Sequence, residues 1–132
     1  MADKMTFELV SPERKLASAS ADSVTVPGMG GDLTAMPNHA PFLTTLRPGY
    51  VTVREGGVET GYFVTGGFAE ISPDAVSVLA EEAIEASAMT RDWIAGKVEA
   101  FAAAAAAAPA ERAAAEALKL NDIKAIAERV GG

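Results

Sequence analysis

Apolar and polar residues alternate with a period of two through the first two thirds of the chain. Phe7 and Leu9 share a face, as do Val24 and Val26, Val51 and Val53, and Val76 and Val78. Such alternation marks strands with one buried side. Turn residues recur between them at Pro27-Gly28, Pro48-Gly49, Gly56-Gly57, Gly66-Gly67 and Ser72-Pro73-Asp74. A Pro-Gly pair suits a turn in which proline fixes φ and glycine takes a positive one. Gly56-Gly57, between VTVRE and VETGYFV, predicts a hairpin. Many short strands with turns this regular predict an all-β sandwich or flattened barrel over residues 1–86.

Beyond residue 86 the period changes to that of a helix. Ile94, Val98, Phe101 and Ala105 form one stripe; Ala113, Ala117, Leu120, Ala127 and Val130 form a second, with Pro109 between. Alanine favours helix, and proline starts one well. Residues 87–132 therefore read as a C-terminal α-helical hairpin, roughly Thr90 to Ala107 and Ala110 to Arg129. Its stripes are narrow and alanine-rich and bury little area, so the hairpin needs support from the sandwich or a partner. The run Ala102 to Ala108 reads as helix filler or as a close-packing surface for another helix.

Composition narrows the function. The chain has 132 residues, 49% of them hydrophobic, enough for a real core. There is no cysteine, which removes disulfides, thiol catalysis and cysteine-based zinc. No apolar run reaches the roughly 18 residues of a membrane span, and MADKMTFELVS has no apolar signal region, so export is not expected. The net charge is −7, which disfavours nucleic acid as a partner. All of it lies in residues 1–86, with 5 basic and 12 acidic side chains; residues 87–132 carry 6 of each.

The stretch 24–49 holds the most information, yet little catalytic vocabulary. Gly28-Met29-Gly30-Gly31 lacks the Lys-Ser or Lys-Thr of a P-loop, and Leu33 stands where a dinucleotide fingerprint needs its third glycine. It reads as a loop needing positive φ. His39 is the one histidine; it lacks a zinc partner set and a Gly-x-Ser-x-Gly nucleophile. It reads as a hydrogen-bonding corner before Pro41 or as an interface contact. Asp32 is either a turn cap or a charged contact in a docking loop. Glu81, Glu82 and Glu85 read as a solvated face rather than a metal site, and Trp93 as a buried anchor. The whole stretch suggests a shaped loop surface on a stiff sheet, built for docking.

These residues resemble a known family. Val26-Pro27-Gly28, Gly31-Asp32-Leu33, Pro37-Asn38-His39-Ala40-Pro41, Thr45-Leu46, Pro48-Gly49, Phe63-Val64 with Gly66-Gly67-Phe68, and Val76-Ser77-Val78-Leu79-Ala80 keep the order and spacing of the epsilon subunit of bacterial F-type ATP synthases. The resemblance covers most of residues 5–86. It implies a ten-stranded β-sandwich with a two-helix C-terminal domain. It also implies a non-catalytic rotor subunit that binds the gamma subunit and the c-subunit ring, and meets alpha and beta through its helices. The subunit would then lie peripherally on the cytoplasmic face of the inner membrane. Gly31 and Asp32 would lie at the ring contact, with His39 near the same end.

Two departures matter. Family members that bind ATP do so through an Ile/Leu-Asp-x-x-Arg-Ala segment; here Glu85 follows Ile84, and Ala88 and Met89 replace Arg-Ala. The loss of a guanidinium removes a bidentate phosphate donor, so ATP binding is expected to be weak or absent, and no other cofactor is expected. The balanced charge of residues 87–132 implies weak inhibition of hydrolysis by the helices. A stand-alone ATP-sensing switch and a hydrolase using His39 are the competing classes; the altered segment disfavours the first and the missing nucleophile the second.

Overall fold

The computed structural model describes residues 4–130. The chain divides between Ser87 and Ala88 into two compact units. The first contains ten strands: β1 (Met5–Val10), β2 (Lys15–Ala21), β3 (Ser23–Gly28), β4 (Gly31–Ala35), β5 (Phe42–Leu46), β6 (Gly49–Glu55), β7 (Val58–Val64), β8 (Gly67–Ser72), β9 (Ala75–Ala80) and β10 (Ala83–Glu85). They form one sheet in the order β10-β7-β6-β3-β5-β8-β9-β1-β2, with β4 paired to β3. Every pairing is antiparallel except β1 with β9. The curled sheet is the near-barrel that the alternation and the resemblance both imply.

The four alternating pairs face inward as the sequence predicts. Phe7, Leu9, Val24, Val26, Val51, Val53, Val76 and Val78 are buried, joined by Met5, Val64 and Ile71 in one cluster. At about 25 cal/mol per Å² of apolar surface removed from water, this cluster supplies the main driving force for the unit. The Gly56-Gly57 hairpin also forms: Glu55 pairs with Val58, and the glycines take φ of 58° and 83°. Positive φ at both central residues is the primed turn that suits strand twist.

Pro27-Gly28 departs from expectation. It is strand, not turn, and neither Gly28 nor Gly49 takes a positive φ. β3 changes partners here. Its first part pairs with β6 at Ser23, Val24 and Thr25, and Gly28 pairs with Leu46 of β5. Pro27 stands at the switch, where a missing N–H breaks no ladder; its carbonyl accepts from Arg47 N–H at 2.9 Å. Gly49 is needed for close approach, since a Cβ there would lie 2.8 Å from the Pro27 Cβ. Pro48 stays in the β5–β6 connection, and Pro73-Asp74 turns β8 into β9, with Ser72 Oγ donating to the Ala75 carbonyl at 3.2 Å.

An ionic clamp ties the β2–β3 corner to the end of β6. Asp22 accepts from the Gly56 N–H at 2.8 Å and lies 3.1 Å from Lys4 Nζ, which is 3.5 Å from Glu55. The Asp22 N–H donates to the Arg54 carbonyl at 2.7 Å. The Gly56 N–H first, then Lys4, holds the Asp22 carboxyl below its usual range. Asp22, chiefly by hydrogen bonding, holds Lys4 above its own. A lowered carboxyl stabilises the fold above the pH at which the unfolded chain would protonate it, and that contribution is lost as pH falls through the native value. The raised Lys4 contributes below its unfolded value and is lost as pH rises through its native one. Thermal melts should show Asp22→Asn less stable than the parent at neutral pH, with the gap closing below about pH 4. A gap constant through that range would rule the clamp out as the cause.

The second unit holds α1 (Arg91–Ala107) and α2 (Ala110–Arg129), after a short 3-10 turn at Ala86–Ala88. Thr90 caps α1, its Oγ1 accepting from the Trp93 N–H at 3.1 Å. The first predicted stripe is the shielded one, with Ile94 buried and Val98, Phe101 and Ala105 half-buried. The second holds only in its later part: Leu120, Ala127 and Val130 are half-buried about Ile123, which was absent from the predicted set and is fully buried, while Ala113 and Ala117 are exposed. Alanines of equal size fix no helical phase, so the larger Leu120, Ile123 and Ile126, all shielded, decide it. Trp93 is half-buried rather than a buried anchor, and Lys97 Nζ lies 5.2 Å from its ring centroid, a cation–π contact.

Candidate functional site

Within the first unit, the β3–β4 hairpin turns at Met29-Gly30, and Gly31 takes φ of 127° opposite Gly28. Among the four residues Gly28 to Gly31, only Gly31 uses the positive φ expected of the loop. Met29, Gly30, Gly31 and Asp32 are exposed. Asp32 lies on β4 across from Pro27, so its carboxylate is held on a paired backbone rather than on a free tip. Thr25 and Thr34 bond across the same hairpin at 2.9 Å.

His39 sits in the corner between β4 and β5. Its N–H donates to the Met36 carbonyl at 3.1 Å and its Nδ1–H to the Ala40 carbonyl at 2.7 Å, so the ring is a corner brace. The Asn38 N–H donates to the Pro73 carbonyl at 2.7 Å, fixing the corner on the β8–β9 turn. The register therefore separates the two expected contacts. Asp32 adjoins the Leu46 end of β5, while His39 adjoins the Phe42 end, about 13 Å away along the strand.

The larger surface feature was not anticipated. On β8 and β9 the inward residues Ala69, Ile71, Val76, Val78 and Ala80 are buried. The outward positions next to them should be polar, yet Phe68 and Leu79 stand directly across from each other and are 53% and 55% exposed. Val10 pairs with Leu79 on the far side. Leu43 of β5, 66% exposed, lies one row away opposite Glu70. An open apolar hollow of about 320 Å³ runs along Val10, Pro12, Phe68 and Leu79. The signal lies in the sequence as apolar residues out of phase with the alternation: Leu79 follows the inward Val78 and Phe68 precedes the inward Ala69, and the register then sets the two side by side.

The remaining expected residues are spread along the chain. Ile84 and Glu85 lie on β10, Ala88 ends the 3-10 turn, and Met89 follows it. Glu85 accepts from Ser87 Oγ at 3.1 Å. Burial, and then the Glu85 charge, push the Tyr62 hydroxyl above its usual value. The Glu81, Glu82 and Glu85 carboxylates are exposed, as expected of a solvated face. No helix among the described residues is long and apolar enough to cross a membrane.

The beta-sandwich domain of the ATP synthase delta/epsilon chain matches residues 4–86. The chain belongs to that family. The chain is 59% identical over 91 residues to the ATP synthase epsilon chain of Ruegeria sp. (strain TM1040), covering 69% of this chain and 66% of the relative. It is 55% identical over 93 residues to that of Paracoccus denitrificans (strain Pd 1222), covering 70% and 63%. It thus spans just under two thirds of the length of these curated relatives. In fold it is similar to a chain of the Euglena gracilis mitochondrial ATP synthase, in a structure of OSCP, F1 and c-ring. The TM-score is 0.70 at 19% identity, over 93% of this chain and 81% of that one.

Proposed function

We propose that the chain is a rotor subunit that couples the turning of a c-ring to a gamma subunit, by docking and not by chemistry. The observation that carries this is the outward apolar row of Leu43, Phe68 and Leu79 on a paired, closely packed sheet. Apolar side chains at positions of a strand that normally face water lower solubility unless a partner covers them. A stiff sheet presents them without an ordering cost, and it also transmits torque, since packed interiors deform little.

In this reading the apolar row takes gamma, His39 braces the corner beside it, and Gly31 and Asp32 on the β3–β4 hairpin meet the ring. The unit is then peripheral to the cytoplasmic face of a bacterial inner membrane, held through its partners. A cysteine at position 32 should crosslink to the ring in the assembled synthase, while one at Thr60 should not. Crosslinks from Thr60 and none from position 32 would reverse the assignment.

The segment Ile84, Glu85, Ala88 and Met89 is read as unable to hold nucleotide, for want of a guanidinium to pair with phosphate. Calorimetric titration should give no ATP binding below about 1 mM, that is, less than about 4 kcal/mol of binding free energy. A micromolar constant would restore the stand-alone sensor. The helices, with their balanced charge, are read as weak inhibitors that meet alpha and beta. Removing residues 88–132 should leave ATP hydrolysis by the reassembled complex within about twofold, under about 0.4 kcal/mol; a large rise would contradict this.

A further inference from the structure

The barrel has an open slot. β2 pairs with β1 and no other strand among the described residues, and β10 covers β7 only at Tyr62, Phe63 and Val64. The outer edge of β2 and residues 58–61 of β7 are therefore left without ladder neighbours on those sides. Between them lies a cavity of about 270 Å³ lined by Phe7, Ala19, Val53, Val58, Thr60 and Tyr62. Phe7 and Tyr62 stack within it, with ring centroids 6.1 Å apart. Ala19, which faces inward opposite Phe7 in the register, is too small to close the opening and is exposed.

Edge strands are normally guarded by charge, proline or a bulge. β2 reads KLASASA, with its one charge at the first residue, Leu16 next, and only alanine and serine over residues 17–21. Nothing on it blocks an incoming backbone. Glu55 stands at the cavity wall, half in solvent; the Lys4 ammonium, 3.5 Å away, is shared with Asp22, to which it lies closer at 3.1 Å, and residues 1–86 carry a net charge of −7. A second copy of this acidic unit is disfavoured by repulsion, whereas a basic segment is attracted.

We propose that the slot is a binding site for an extended, basic segment of another polypeptide. The segment adds as a strand to the free edge of β2, places a branched apolar side chain in the cavity against Phe7 and Tyr62, and sets a lysine or arginine beside Glu55. Strand addition draws affinity from main-chain hydrogen bonds and selectivity from pockets for alternate side chains; the slot offers both. It lies on strands other than those of the Phe68–Leu79 row, so either surface can fail while the other stands.

The probe is the capped peptide Lys-Thr-Val-Thr-Val-Thr-Lys, titrated into the full ¹⁵N-labelled chain. The expected result is amide shifts and exchange protection at residues 17–20 and 58–61. Affinity should fall about tenfold or more in Ala19→Leu, which fills the cavity from an exposed position, and also with a peptide in which glutamate replaces both lysines. Should Ala19→Leu fail to fold, Glu55→Gln with the same peptide supplies the second arm, with a weaker and less salt-sensitive affinity expected. No shift at these amides with millimolar peptide would overturn the proposal. So would shifts confined to the Phe68–Leu79 face, an affinity indifferent to both variants, or dimerisation of the chain through β2.

Discussion

Gly67→Ala should destabilise the β-unit by about 3–5 kcal/mol, the sum of a strained backbone and an overpacked contact. Gly67 opens β8 with φ of 138°, a conformation that an L side chain resists. A Cβ there would collide with the Leu79 carbonyl and come within 2.9 Å of the Ala80 Cα. Neither neighbour can yield, because Gly67 is laddered to Leu46 on one side and to Ala80 on the other. The loss corresponds to roughly 12 °C or more in melting temperature for a unit of this size. Gly30→Ala is the control: nothing lies within 4 Å of its added methyl and its φ is not positive, so its effect should stay within about 0.5 kcal/mol. Urea unfolding of both variants decides the matter, and a Gly67→Ala loss below about 1 kcal/mol would show that the β8–β9 pairing is softer than described.

The second large effect concerns assembly. Phe68→Asp should leave the fold intact, since the ring is half in solvent, and yet weaken capture of gamma about 30-fold or more, the scale of an interfacial aromatic hot spot. The charge would be forced into an apolar contact with Leu79 and its covering partner. Thr6→Asp, exposed on β1 away from that row, should leave capture unchanged. Co-purification of gamma with the two tagged variants gives the readout. Equal yields from both would remove the apolar row from the interface.

Local signals in the sequence carried much of this structure. The inward valines of β3, β6 and β9, the Gly56-Gly57 turn and the limits of α1 and α2 all follow from nearest-neighbour physics: pleat, positive φ, and the contrast between alanine and proline. What escaped was set by distant partners. Pro27 looks like a turn until β3 is seen to trade β6 for β5 at that residue. Phe68 and Leu79 each fall out of phase with the inward residues of their strands, and only the β8–β9 register sets them side by side as one apolar row. Ile123 owes its burial to a helical phase that alanines leave undetermined. The β3–β4 hairpin that carries Asp32 was legible from its glycines. The apolar row was not, because hydrophobicity by itself does not say which face of a sheet a residue occupies.

The parallel pairing of β1 with β9 joins the first strand made to one made about 70 residues later. At a synthesis rate of about 5–20 residues per second, the nascent β1 waits several seconds for that neighbour. For that interval Phe7 and Leu9 have no finished interior to enter. On the ribosome, the newborn polypeptide is therefore a natural client for a holding chaperone, and its maturation should be timed by translation rather than by any intrinsic slowness of closing the sheet.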